Sequence, residues 1–150
     1  MKTAQGTATS VVEIAQAVRS GQLRALDAVD ECLRRIERDN PRVNAFVYLD
    51  TDGARAQARV IDARIARGED PGALAGVPFG VKDIRESCAG MPRRNGSLFH
   101  MDDPPEERDS VFIARLRAAG AIPLGKIATA EFGMDGVTHT LAHGTTRNPW

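Results

Sequence analysis

Lysine is scarce in this chain. Of the 20 basic side chains in 150 residues, 17 are arginine and only Lys2, Lys82 and Lys126 are lysine, so each internal lysine is a position to question. Cysteine is scarcer still. Cys32 and Cys88 stand 56 positions apart, which fits neither a metal-binding spacing nor a disulfide framework. No apolar run approaches the roughly 18 residues of a membrane-spanning helix, and Met1 to Ser10 lacks the apolar stretch of a signal peptide. Together these point to a cytoplasmic protein that does not enter a membrane. Net charge is absent too: 20 acidic residues balance the 20 basic ones, which argues against a dedicated nucleic-acid binder. There is no G-x-G-x-x-G, no Walker motif, no assignable Ser-His-Asp set and no pattern that calls for a cofactor.

What is present reads as one domain of 150 residues, long enough to bury roughly two-thirds of its unfolded surface. Residues 1–72 read as mainly helical. Ser10 and Glu13 have capping-box spacing, Val11, Ile14, Ala15 and Val18 recur at helical period, and Gly21 ends that segment. A second helix is expected from Leu26 to Arg38, stopped by Asn40-Pro41. Val43 to Leu49 is a strand or an ordered connector. A third helix spans Gly53 to Ala66; its apolar face is narrow and its other side rich in arginine, which places it on the outside with a solvated face that includes Asp62.

From residue 73 the texture changes to glycine, proline and short apolar runs. Leu74 to Val81 reads as a buried strand, Asp109-Ser110 as the cap of a helix from Val111 to Ala119, and Gly120 as its left-handed stop. Ala121 to Leu124 reads as a strand, and Thr129 as the cap of a short helix through Phe132. This order predicts an α/β layer structure, a mixed sheet covered by helices with the N-terminal helices at its edge.

Among candidate chemical groups, Lys82 is the sharpest. A lysine at the end of a buried strand must be paired, neutral or solvated at its tip; it is either a salt-bridged strand-end residue or, where neutral, an amine able to act as base or relay, and the local sequence leaves these open. His139 and His143 have the i, i+4 spacing of zinc ligands, but the accompanying Glu is missing and the nearby glycines oppose a helix, so both read as loop histidines and no metal site is assigned. Asp102, Asp103, Glu106, Glu107 and Asp109, broken by Pro104-Pro105, read as a solvated loop, and His100 has no distinguishing partner. Cys32 reads as a small buried hydrophobe.

The second half resembles the amidase signature family. The resemblance rests on Leu74 to Asp83 (LAGVPFGVKD), Gly90-Met91-Pro92, Gly96-Ser97, Asp109-Ser110-Val111, Leu116 to Ile122, Gly125-Lys126, Glu131-Phe132-Gly133-Met134 and Gly144 to Trp150 (GTTRNPW), with Asn44-Ala45-Phe46 as a looser match. It implies the N-terminal part of the amidase-signature fold and amide C–N hydrolysis by a Ser–cis-Ser–Lys triad acting on a small amide. Lys82 corresponds to the triad lysine, expected to be neutral and to relay a proton, while Lys126 corresponds to a family lysine outside the triad and is assigned a structural role. Both serines and the oxyanion donors belong to a segment after the N-P-W motif, so the 150-residue chain is expected to be an incomplete, inactive domain or a non-catalytic interaction module, completed by a second chain or subunit. The A subunit of an aminoacyl-tRNA amidotransferase is the companion expectation. Two departures stand out: one extra residue between Lys82 and Gly90, and Arg93-Arg94 where the family commonly has two threonines. Two free guanidinium groups there would imply either an anionic substrate or a loop no longer used in catalysis.

Overall fold

The computed structural model describes residues 10–150. Helix α1 (Val11–Arg19) starts on the expected capping box: Ser10 Oγ accepts from the Glu13 amide at 3.2 Å, and the Ser10 amide donates to the Glu13 carboxylate at 3.0 Å. Residues 1–9, where no signal peptide is expected, lie outside the described range.

Helix α2 (Ala25–Val43) runs past the expected stop, with Pro41 inside its last turns. A proline removes one helical hydrogen bond, which a helix held elsewhere can sustain. Here two asparagines do the holding. Asn40 Oδ1 accepts from the amides of Ala45 and Phe46, both at 2.8 Å, and Asn44 closes the helix in the left-handed conformation at φ 52°. The chain thereby turns directly into strand β1 (Phe46–Leu49). At its start α2 has Arg24, which offers no side-chain cap; Asp62 supplies it from another helix, accepting from the amides of Ala25 at 2.7 Å and Leu26 at 3.3 Å. Asp62 is thus a capping residue rather than part of a solvated face.

Helix α3 (Thr51–Ala66) begins two residues earlier than expected because Asp50 caps it, accepting from the Gly53 amide at 3.1 Å. Nor does it lie on the outside. Its narrow apolar face carries small residues, and small residues allow close approach: Ala54 and Ala58 are fully buried and join Val18, Val29, Leu33, Ile122 and Leu124 in the larger core cluster.

Three strands make the sheet, in the order β1-β3-β2, with β2 (Pro78–Lys82) parallel and β1 antiparallel to the central β3 (Ile122–Ile127). Helix α4 (Val111–Ala118) is capped by Ser110 and closed by Gly120 at φ 92°, as the sequence indicated. A short turn at Glu131–Gly133 follows, but its cap is Ala130 without a side-chain bond, and not Thr129. The hairpin β4 (His139–Thr140) and β5 (Gly144–Thr145) has no period in the sequence to announce it.

The register of β3 decides where the lysines point. Phe79 pairs with Pro123 and Gly80 with Gly125, so Leu124 is an inserted residue, a β-bulge. Strict alternation from Ile122 and Leu124 would send Lys126 into the helix-covered core. The bulge resets the alternation, and Lys126 pairs with Val81 and Tyr48 on the opposite face. That face carries the smaller cluster of Val81, Cys88, Met91 and Ile113. At the bulge the backbones crowd: a Cβ on Gly125 would stand 2.1 Å from the Tyr48 carbonyl oxygen. Gly125→Ala is therefore expected to lower the urea-unfolding free energy by at least the about 1–3 kcal/mol typical of overpacking. Wild-type stability in that variant would show that the β1–β3 pairing can spread freely.

Candidate active site

Lys82 ends β2, and its side chain leaves the sheet on the side away from Val81 and Asp83, exposed to solvent. Its ammonium donates to the Ala128 carbonyl at 2.5 Å, and no described carboxylate pairs with it. Among the described residues Lys82 has no salt bridge, and its tip is solvated.

The next residue has the opposite environment. Asp83 is fully buried. Its amide donates to the Ile127 carbonyl at 2.9 Å, continuing the parallel ladder one step past the strand. Its carboxylate accepts from the Arg94 amide at 2.9 Å and, more loosely, from the Gly96 amide at 3.5 Å. Lys126 is also fully buried and donates to the Glu86 carbonyl at 2.9 Å. Burial pulls its pKa below the usual lysine range, and the carboxylates of Asp83 and Glu106 oppose that shift. Lys126 thus holds the 84–92 loop from beneath and offsets part of the Asp83 charge, in keeping with the structural role expected of it.

A recess of about 280 Å³ opens beside these two groups, lined by Tyr48, Asp83, Arg94, Met101, Lys126 and His143 among others. His143, read as a plain loop histidine, is brought in by the β4–β5 hairpin. Asn44 Nδ2 donates to the His143 carbonyl at 2.7 Å, and Thr140 Oγ1 accepts from the His143 amide at 3.0 Å. Its ring Nε2 is buried without a hydrogen-bond partner, 3.8 Å from the nearer Asp83 oxygen. His139 stays exposed and bonds to Thr145 Oγ1, so the zinc-like spacing does not converge, and no described cluster of three or more His, Cys, Asp or Glu side chains could hold a metal.

Arg93 and Arg94 are both engaged within the fold. Arg93 pairs with Glu106 at 2.7 Å, and Arg94 Nη1 donates to the carbonyls of His100 and Asp103. The loop of residues 102–109 is largely exposed, as its composition suggested, and is tied down at a few points: Asp103 pairs with His100 at 2.7 Å, and Asp109 pairs with Arg117 at 3.0 Å and accepts from the Ala89 amide. Ser97 of the Gly-Ser motif is buried, and its hydroxyl accepts from the Phe99 amide at 3.3 Å. Cys32 is half-buried against the helical core, and burial raises its thiol pKa.

The sequence profile of the Amidase family matches residues 27–150. The chain belongs to the amidase family. Among amidase-family relatives are the A subunits of glutamyl-tRNA(Gln) amidotransferases. That of Salinispora tropica is 42% identical over 144 residues, and that of Streptomyces coelicolor 41% over 142. These alignments take in 96% and 94% of this chain but only 29% and 28% of the relatives, so the chain spans less than a third of their length. Among solved structures, a bacterial aryl acylamidase of the amidase signature family superposes with a TM-score of 0.89 at 31% identity, covering 95% of this chain and 29% of that one. A protein described in a vestigial complex linked to the origins of an s-triazine catabolic enzyme superposes at 0.90 with 38% identity, covering 94% and 31%. The observed fold is that part of the amidase-signature fold. No described helix is long and apolar enough to cross a membrane.

The environment of His143 sets a pH dependence. Burial lowers its pKa from 6.5, against the attraction of Asp83 and together with the repulsion of Arg94. The folded protein therefore binds this proton more weakly than the unfolded chain. The corresponding stability is complete above the unfolded value and is lost as pH falls through the folded one. Urea midpoints should fall as the pH drops below 6.5, and His143→Gln should flatten that decline. An unchanged slope in the variant would assign the acid sensitivity elsewhere.

Proposed function

We propose that this chain forms the lysine-bearing part of an amide C–N hydrolase centre, with Lys82 as the proton relay of a Ser–cis-Ser–Lys triad. The observation that carries the reading is the Lys82 side chain itself. It sits at the end of β2 in the V-K-D motif, solvent-exposed, held by one carbonyl and by no carboxylate. Held by a carbonyl and locked to no described carboxylate, the amine can meet the second serine when the site is assembled. In the proposed cycle the attacking serine passes its proton through the second serine to the Lys82 amine as it adds to the amide carbonyl. That proton then goes to the departing nitrogen, ammonia or an amine leaves, and water releases the acyl group.

The two serines and the oxyanion donors are assigned to polypeptide outside residues 1–150, in the same chain or in a partner. Large apolar side chains left exposed in the second half, including Phe99, Phe132, Met134, Leu141 and Trp150, support a role alongside further polypeptide. The internal pairing of Arg93 and Arg94 favours a neutral amide over an anionic substrate. The identity to amidotransferase A subunits favours a second reading within the same chemistry: glutamine as ammonia donor, with partner subunits and an aminoacyl-tRNA acceptor. A cytoplasmic setting, without a cofactor or metal, fits either reading.

The 150-residue chain and its Lys82→Ala variant are both expected to show no amide or ester turnover; Lys82-dependent turnover would overturn the assignment of the serines elsewhere. In a form that includes a Gly/Ser-rich segment after Trp150, Lys82→Ala should lower kcat/KM by about 10²–10⁴-fold, the usual range for a lost general acid–base group. Lys82→Arg should not restore it, because a guanidinium stays protonated.

A further inference from the structure

We propose that Asp83 is a positioning residue for Lys82: it fixes the loop that holds the carbonyl to which the Lys82 amine is bound. The inference rests on the reading of Lys82 as the reacting lysine, and it concerns a side chain that makes no contact with Lys82.

The coupling runs through one loop. The Asp83 carboxylate accepts from the amides of Arg94 and Gly96. Between them, the Asn95 carbonyl accepts from the Phe132 amide at 2.8 Å. Gly96 lies against the backbone that follows β3: a Cβ added to it would stand 2.8 Å from the Thr129 carbonyl oxygen and 3.1 Å from that of Ala130. The residue before this segment is Ala128, whose carbonyl receives the Lys82 amine. Asp83 therefore clamps residues 94–96, these cover residues 129–132, and the covered segment carries the acceptor for Lys82. Asn95 and Gly96 both hold positive φ, at 53° and 66°, a shape the clamp maintains. A carboxylate suits the task because it accepts at both oxygens, whereas an asparagine would turn one donor toward an amide. Lys126 supplies compensating charge from within the sheet and His143 faces the same carboxylate, so neither replaces its acceptor role.

The shortage of lysine makes the test clean. The chain has three lysines, and Lys126 is fully buried, so brief acetylation with an N-hydroxysuccinimide ester at pH 8, read by mass spectrometry, reports on Lys82 separately from Lys2. Asp83→Asn should raise the Lys82 labelling rate by about threefold to tenfold, the size of losing one ordinary hydrogen bond. Met91→Ala, which opens the neighbouring apolar cluster without touching the clamp, should leave that rate unchanged. A folded Asp83→Asn protein with the wild-type rate would overturn the proposal. So would an equal rise in Met91→Ala, which would mean general loosening. If Asp83→Asn does not fold, hydrogen exchange on the wild type decides: the Arg94, Gly96 and Phe132 amides should open as one unit, and rates differing by more than about tenfold would refute the coupling. Labelling reads the position of Lys82 whether or not it catalyses, so a failed activity test of Lys82 leaves this result standing.

Discussion

A carboxylate removed from water has to be surrounded by donors or compensated by charge. Asp83 meets both conditions at the point where β2 gives way to loops. It sits one residue beyond the strand that presents Lys82, under the loop of residues 93–97, and across the sheet face from Lys126. Much of the second half is organised by this demand. The tight loop after Gly-Met-Pro, the close seat of Gly96 on Thr129, and the inward turn of His143 all converge on one buried negative charge.

The β3 bulge is what makes such a centre possible. With Leu124 inserted, the helix-covered face stays apolar, filled by Ile122 and Leu124 against the alanines of α3. The opposite face receives Lys126, whose ammonium finds a loop carbonyl there. Without the reset, a buried ammonium would point into a core of aliphatic side chains, at a cost of several kcal/mol. The same register puts Lys82 and Lys126 on opposite faces of adjacent strands, so two lysines of similar local sequence acquire different roles: one solvated and available, the other sealed.

The arginine-rich, aspartate-rich composition serves largely to tie loops and helix ends. Asp62 caps a helix distant in sequence, Glu106 holds Arg93, and Asp109 holds both Arg117 and the Ala89 amide. Exposed pairs such as Arg38 with Asp39 add little by comparison, because solvent screens them. The pairs that matter are those joining segments far apart in the chain, and those are the ones a local reading of charge treats as solvated.

Periodicity and capping chemistry are local, and they made α1, α4 and the body of α2 and α3 legible in the sequence. Ser10, Ser110 and Gly120 do there what their types prescribe within a few residues. The V-K-D, Gly-Met-Pro and Gly-Lys pieces are local as well, and they were enough to single out Lys82 and to indicate the family. Tertiary structure decided the rest, for reasons that act across distance. Pro41 is tolerated because Asn40 and Asn44 anchor the turn beyond it, to β1 and to the hairpin carrying His143. Asp62 is a cap only because α3 lies across the start of α2. The buried positions of Asp83 and Lys126 and the inward turn of His143 follow from a bulge and a hairpin that leave no period in the sequence. Composition and spacing determine which groups are available; the register of one strand determines which of them meet.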